Sequence, residues 1–260
     1  MKKMVVLLFV VIASHLYAQK IKGSDTVLPL AQKEAEIYMQ VSPGILTTVT
    51  GGGSGVGILS LLEGTTDIAM SSRSLKYEER LRFKESGKEV METVIAFDAL
   101  CVIVHPSNRV TALTRQQLED IFRGKITRWS QVGGENIPVV VYVRETSSGT
   151  YEFFKETVLK HKNYMAGALS MPATGTVIQS VSQTRGAIGY VGFPYVNDKV
   201  KTLKITQNGK EYPVVRPLLL YYLRPAVSEV QSFVDFVLSD RGQQIAREMG
   251  YIKVQHEENH

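Results

Sequence analysis

A polar loop at residues 144–150, RETSSGT, separates a β-like run from a helix-like one and constrains the chain more than any other feature. Residues 137–143 are mostly β-branched, and residues 151–156 have helical composition. The first backbone N–H groups of a helix lack intrahelical acceptors and lie at the positive end of its dipole, so such a junction favours an anion. Arg144 and the loop hydroxyls add donors. The segment therefore predicts an anion site, the alternative being an ordinary N-capped helix with a surface arginine.

Two earlier stretches repeat this design. Residues 23–30 lead into a helix-like run at 31–38, and the glycine-rich residues 51–58 follow the β-branched run 47–50. Loops at the carboxyl ends of parallel strands can converge on one ligand. The alternation of short strands and helices up to residue 98 predicts a parallel, doubly wound α/β sheet.

Seven segments in chain order resemble the phosphate-binding component of bacterial phosphate ABC importers. They are GSDTVLPLAQ, TGGGSGVGI, TDIAMSSRS, FDALCVIVHPSN, LTRQQLEDIFRGKITRWSQVGG, RETSSGTYEFF and GAIGYVG. The resemblance implies a two-lobed periplasmic-binding-protein (type II) fold, in which two doubly wound sheets are joined by two crossover strands. Proteins with this fold are standard examples of hinge closure around a ligand.

The resemblance also implies how the chain is divided and what it does. We expect lobe I at residues 19–98 and 190–260, and lobe II at residues 99–189. The protein would bind inorganic phosphate between the lobes as a monomer and deliver it to a membrane ABC permease. No catalytic residue, metal or cofactor is expected.

Eight residues match the family's phosphate-binding positions. They are Asp25, Thr26, Ser54, Ser72, Arg144, Ser148, Gly149 and Thr150.

Three positions depart from the best-known form of the family pattern. Asp25 stands where that form has Thr, Ser72 where it has Asp, and Thr146 where an Asp braces the arginine. Phosphate retains a proton at neutral pH and sulfate does not, so a carboxylate acceptor favours phosphate. We hypothesise that Asp25 is that acceptor, the alternative being a cap of the following helix. Glu145 could replace the missing brace of Arg144.

The N-terminus reads as a secretory signal peptide. A basic start, Met1–Lys3, precedes an apolar run at residues 4–16, and cleavage is expected after Ala18. The run is short for a membrane anchor. No cysteine near the cut could carry a lipid, so we expect a freely soluble periplasmic protein.

The composition narrows the function classes. The formal charge is +5, and residues 19–260 carry 28 basic and 25 acidic side chains spread along the chain, which argues against nucleic-acid binding. Cys101, the only cysteine, lies in an apolar run and is expected to be a buried small hydrophobe. Trp129 is expected to be a packing residue rather than a binding platform.

Three alternatives remain open at this stage. The first is a binding protein for another tetrahedral oxyanion such as sulfate, and the second is a regulatory or adhesive use of the scaffold. The third, a phosphate-ester hydrolase, has weaker support. The glycine-rich loop lacks the Gly-Lys-Ser/Thr ending of an NTPase loop, and His105 and His161 have no visible triad context. Residues 256–260 carry metal-ligand types, but they lie in the polar tail at residues 255–260, which is expected to be frayed.

Overall fold

The computed structural model describes residues 17–254, so the predicted signal peptide, apart from Tyr17 and Ala18, lies outside the described residues, as does the tail. Strands and helices alternate along most of the chain. The strands are β1 (Tyr17–Gly23), β2 (Ile45–Thr50), β3 (Ile68–Ser71), β4 (Glu89–Val104), β5 (Ala112–Thr114), β6 (Val140–Arg144), β7 (Leu169–Met171), β8 (Ala187–Gly192), β9 (Lys201–Gln207), β10 (Lys210–Glu211) and β11 (Val215–Arg224). The helices are α1 (Leu28–Val41), α2 (Ser54–Glu63), α3 (Tyr77–Glu85), α4 (Arg115–Phe122), α5 (Gly149–Thr157), α6 (Thr174–Gln183), α7 (Ser228–Leu238) and α8 (Asp240–Glu248).

The strands form two mixed sheets that share the long strand β4. Strand order along the hydrogen-bonded path is β2-β1-β3-β11-β4-β8-β6-β7. The strands β1, β2 and β3 are parallel, as expected, and β11 and β4 close the first sheet in antiparallel orientation. The second half of β4 then pairs with β8 and β9, and β6 pairs in parallel with β8 and β7. This is the two-lobed α/β architecture that the sequence predicts.

Each sheet has apolar side chains packed on both faces. One cluster of the first sheet includes Leu30 and Phe233, from α1 and α7, and the cluster on its other face includes Leu61 of α2. In the second sheet, Phe154 of α5 and Val177 of α6 lie in different clusters. Burial on both faces explains why the strands read as near-continuous apolar runs.

Two strands cross between the lobes side by side. Strand β4 leaves the first sheet near Asp98, and β11 returns beside it, with Val215 opposite Ala99 and Arg216 opposite Asp98. We propose that the lobes divide at this pair of crossings.

This division differs from the boundary expected at residue 190. Strand β8 pairs with β4 and β6 inside the second sheet. Leu203 and Ile205 of β9 pack in the second lobe's core, and Val214 packs against it. We therefore propose that residues 190–214 belong to lobe II, because β9 covers apolar surface there before the chain returns.

Several local predictions are confirmed. Thr114 caps α4 through a capping box with Gln117, as the Thr-x-x-Gln spacing indicates. Trp129 is buried, and its indole Nε1–H donates to the Gly186 carbonyl at 2.9 Å, so it is a packing residue. Cys101 packs against an apolar cluster of lobe II, although it is only partly buried rather than fully buried as expected. Between residues 17 and 254, no helix has the length and apolarity needed to cross a membrane.

Candidate functional site

The three predicted loop–helix junctions meet where the lobes face each other. The glycine-rich loop joins the first junction through Gly53 N–H, which donates to the Gly23 carbonyl at 2.9 Å. It also contacts the junction of lobe II, since Gly55 N–H donates to the Ser147 carbonyl at 2.9 Å. The N-termini of α1, α2 and α5 therefore lie around one cleft, which is the arrangement that an anion requires.

Thr26 and Thr150 meet directly across the cleft. Their hydroxyl oxygens lie 3.0 Å apart, although the residues are 124 positions apart in the chain. Both are buried, with exposed fractions of 2% and 3%. Tyr251 fixes the loop that carries Thr26, because its hydroxyl donates a hydrogen bond to the Thr26 carbonyl at 3.0 Å.

Ser54, Ser72 and Gly149 form a second contact between the lobes. Ser72 N–H donates to Ser54 Oγ at 3.1 Å, and the two hydroxyl oxygens are 3.5 Å apart. A Cβ on Gly149 would lie 2.2 Å from Ser54 Oγ and 2.6 Å from Ser72 Oγ. Position 149 must therefore be glycine for these hydroxyls to approach the first turn of α5. Ser148 caps that helix by accepting from Tyr151 N–H at 3.4 Å.

Arg144 is buried and held from several sides. In lobe II it donates to the carbonyls of Met171 and Pro172 and to the Thr174 hydroxyl, at 2.9–3.2 Å. Its Nη2 also donates to Asp25 Oδ2 of lobe I at 2.7 Å. The guanidinium is thus fixed in orientation at the carboxyl end of β6.

Asp25 supplies the carboxylate brace that Thr146 cannot. Glu145 does not take this role among the described residues: its Oε1 accepts from Ser147 Oγ at 2.8 Å, and the ion pair of Arg144 is with Asp25. The capping alternative for Asp25 is also wrong, since α1 begins at Leu28 with Val27 as its N-cap residue and no side-chain cap. Both Asp25 oxygens are engaged, Oδ2 by Arg144 and Oδ1 by Gly52 N–H at 3.1 Å. In this arrangement each Asp25 oxygen already accepts one hydrogen bond.

Tyr195 reinforces this cross-lobe contact. Its hydroxyl donates to the Asp25 backbone carbonyl. Burial, and then the nearby Asp25 carboxylate, raise the pKa of the Tyr195 phenol above its ordinary value, so it remains a donor at neutral pH. Asp25 therefore contacts lobe II through both its side chain and its backbone.

Two further charged residues lie at the base of the cleft. Arg216 Nη1 donates to Thr150 Oγ1 at 2.9 Å, and Nη2 lies 3.4 Å from Thr26 Oγ1. The same guanidinium binds Asp98 Oδ2 through Nε at 3.2 Å and Nη2 at 2.8 Å. Neither residue was predicted from the sequence. The sequence contains one indication of them. Each is a single charged residue in or beside an apolar run, FDALCVIV for Asp98 and RPLLLYY for Arg216, and an ionised side chain in a buried strand needs a partner.

A groove of about 790 Å³ runs along the side of the cleft between α3 and α5. Its lining includes Arg73, Lys76 and Lys155, and also Phe153, whose ring centroid lies 5.7 Å from the Arg216 guanidinium carbon. Within residues 17–254, no group of three or more His, Cys, Asp or Glu side chains is arranged to hold a metal ion.

The chain is similar to proteins of known family. Residues 17–241 match the model of the PBP superfamily domain. Protein SphX of Synechococcus elongatus is 34% identical over 255 residues, which is 88% of this chain and 75% of SphX. The phosphate-binding protein PstS of Borreliella burgdorferi is 30% identical, and the match covers 98% of this chain and 99% of that protein.

Solved structures agree. The substrate-binding protein of a phosphate ABC transporter from Clostridium perfringens, crystallised with bound phosphate, is 36% identical with a TM-score of 0.84, covering 92% of this chain and all of the other. An ABC-type phosphate transport receptor from Vibrio cholerae is 30% identical with a TM-score of 0.75, covering 91% of this chain and all of the other. The chain therefore belongs to the PBP superfamily, in the family of PstS phosphate-binding proteins that are the substrate-binding components of phosphate ABC transporters.

Proposed function

We propose that this protein binds inorganic phosphate in the cleft between its lobes and delivers it to a membrane ABC permease. The observation that carries the proposal is the meeting of Thr26 and Thr150 across the cleft, with Arg144 and three helix N-termini around them. The names of the relatives support the choice of phosphate. We place the protein in the periplasm as a monomer that performs no chemistry on its ligand.

Phosphate binding would replace contacts that the lobes now make with each other. The hydroxyls of Thr26, Ser54 and Thr150 can donate to phosphate oxygens, and the first N–H groups of α5 lack intrahelical acceptors. The guanidinium of Arg144 adds charge, and its fixed orientation limits the entropy lost on binding. Ser72, Ser148 and Gly149 complete the proposed ligand-binding set, with Asp25 as the brace of Arg144.

The arrangement couples binding to closure. Thr26, Ser54 and Ser72 belong to lobe I, whereas Arg144 and Thr150 belong to lobe II. A ligand favours the closed state only through contacts that the open state lacks. A phosphate ion that contacts both sets meets this requirement, and loses half of its partners when the lobes separate.

The described residues do not support the hydrolase alternative. Catalysis by a serine would need a histidine within hydrogen-bond reach. His105 bonds instead to Ser107 at 2.8 Å, and the hydroxyls of Ser54 and Ser148 bond within the cleft. No hydrogen bond described between residues 17 and 254 joins a cleft hydroxyl to a histidine.

The test is isothermal titration of the mature protein, refolded from denaturant to remove carried ligand. We expect one-to-one phosphate binding that excess sulfate does not displace. Arg144→Gln should weaken binding about 30-fold or more, because truncating one partner of a buried charge pair costs about 2 kcal/mol or more. Arg185→Met, at an exposed arginine of lobe II, is the matched control and should leave affinity unchanged.

Three outcomes would contradict the proposal. Absence of phosphate binding by the wild type would refute it, and tighter sulfate than phosphate binding would favour the other-oxyanion alternative. Turnover of p-nitrophenyl phosphate that Arg144→Gln abolishes would favour the enzyme. Delivery to a permease is tested separately by phosphate uptake in cells that lack the gene, with the wild-type and Arg144→Gln proteins supplied in trans.

A further inference from the structure

The two strands that cross between the lobes carry a buried ion pair at the base of the cleft. Asp98 of β4 and Arg216 of β11 are opposite each other in the antiparallel register. Their side chains have no exposed surface, and the closest approach, from Arg216 Nη2 to Asp98 Oδ2, is 2.8 Å. Two ionised groups at such a depth are costly to desolvate and are retained only where their geometry or function requires them.

The pair leaves one carboxylate oxygen without a partner. Arg216 donates through both Nε and Nη2 to Oδ2, whereas Asp98 Oδ1 is buried and has no hydrogen-bond partner. A buried acceptor without a donor costs about 1–3 kcal/mol, and more when it is charged. Such an atom calls for an explanation, and a ligand that supplies a donor is one.

The absence of a side chain at Gly192 leaves the space that this carboxylate occupies. A Cβ on Gly192 would lie 2.5 Å from Asp98 Oδ2 and 2.8 Å from Oδ1. The backbone of Gly192 has an ordinary φ of −67°, so the backbone conformation does not itself require glycine there. Glycine is required at position 192 because any Cβ there would overlap the Asp98 carboxylate.

Arg216 connects this carboxylate to the anion site. Its Nη1 donates to Thr150 Oγ1 of lobe II, and its Nη2 reaches Thr26 Oγ1 of lobe I. The Arg216 guanidinium therefore contacts both the Asp98 carboxylate and two hydroxyls of the proposed phosphate site. The other two carboxylates near the site already accept hydrogen bonds, Asp25 at both of its oxygens and Glu145 from Ser147, whereas Asp98 Oδ1 accepts none.

We propose that Asp98 determines specificity by accepting a hydrogen bond from the protonated oxygen of the bound anion, an inference that rests on the proposed function. Phosphate at neutral pH has an O–H to donate, whereas sulfate has none and would place a lone pair against a buried carboxylate. No proton is transferred. Arg216 neutralises and orients the carboxylate through Oδ2, and leaves Oδ1 for the ligand.

The first test uses the wild-type protein and four anions of similar size. Phosphate and arsenate have an O–H, sulfate has none, and monofluorophosphate has fluorine in place of it while keeping the negative charge. A site built around a ligand O–H rejects the analogue that lacks it by about 10⁴-fold. We expect phosphate and arsenate to bind, and monofluorophosphate and sulfate to bind at least about 10³-fold more weakly. Monofluorophosphate affinity within about tenfold of phosphate would overturn the inference.

The second test assigns the acceptor. Asp98→Asn removes the charge, and Gly192→Ala displaces the carboxylate while keeping both charged side chains, so that one variant remains if the other fails to fold. Each should reduce the phosphate-to-sulfate affinity ratio by about 100-fold. The control, Asp25→Asn, should weaken both anions and leave the ratio unchanged.

The outcomes separate the two proposals. An unchanged ratio in folded Asp98→Asn or Gly192→Ala protein overturns the role of Asp98, as does a ratio lost only in Asp25→Asn. Both results leave phosphate binding intact. Failure of the wild type to bind phosphate refutes the proposed function itself.

Discussion

Replacing Asp25 by Asn removes the only carboxylate that contacts Arg144 among the described residues. The pair joins the two lobes at 2.7 Å, and the exposed fractions of the two side chains are 13% for Asp25 and 2% for Arg144. Asn can still accept from Gly52 N–H, so the loop that carries it should keep its conformation. The change therefore tests the charge of the brace rather than the fold of lobe I.

The expected loss of phosphate affinity follows from how far the Asp25–Arg144 pair is buried. Hydrogen bonds between charged groups contribute about 1.5–3 kcal/mol, and the partial exposure of Asp25 places this one near the lower end. Because the partners lie on different lobes, the bond exists only in the closed state, and its loss should reduce ligand affinity in full. A loss of about 1.5 kcal/mol corresponds to about tenfold weaker phosphate binding.

Isothermal titration of Asp25→Asn against the wild type measures this loss. The matched control is Glu152→Gln, which breaks another ion pair between the lobes, with Lys76 at 2.8 Å. The side chains of Lys76 and Glu152 are 43% and 25% exposed. Such exposed pairs contribute about 0.2–1 kcal/mol, so the control should weaken binding by less than about fivefold. Asp25→Asn affinity within twofold of the wild type, or no weaker than that of the control, would refute the brace.

Three further predictions concern particular residues. Gly149→Ala should weaken phosphate binding by about ten- to a hundredfold, because its Cβ would overlap Ser54 Oγ and Ser72 Oγ only when the lobes close; unchanged affinity by titration would contradict this. Burial, and then the Asp98 carboxylate, raise the pKa of the Cys101 thiol from 9.0 to about 11. Labelling of native protein at pH 8 should therefore be about a hundredfold slower than labelling of unfolded protein, and equal rates would exclude a shifted thiol. Burial raises the pKa of the Glu34 carboxyl, whose two oxygens have no partners, so the unfolded chain binds fewer protons at neutral pH and stability falls as pH rises above the unfolded value. Glu34→Gln should raise the free energy of unfolding in urea at pH 7 and lose that advantage near pH 4; a benefit that does not change with pH would contradict the shift.

Much of the architecture could be predicted because it depends on local pattern. The apolar runs and the polar loops between them predicted the α/β alternation, and the glycine and hydroxyl residues at three junctions predicted where helices begin. Capping at Thr114 and Ser148 follows from spacings of three residues. The boundary of lobe II was harder to predict, because β9 is itself only modestly apolar and its pairing with β4 joins residues far apart in the chain.

Loop motifs mark the residues of the proposed site in its loops, whereas no motif marks the two charged residues at the base of the cleft. Thr26, Ser54 and Thr150 lie together as expected, since each lies in or beside a junction that the sequence marks. Asp98 and Arg216 lie inside strands, and no local motif marks them. Their ion pair becomes evident only when β4 and β11 are placed side by side in the structure.

The sequence by itself determined the family, the alternation of strands and helices, and the set of loops that face the cleft, because these depend on residues close together in the chain. The tertiary structure alone decided which charges meet. Asp25 and Arg144 are 119 positions apart, and Asp98 and Arg216 are 118 positions apart. A carboxylate in a loop is equally suited to cap a helix, accept from a ligand or brace an arginine, and only the packing of one lobe against the other selects among these roles.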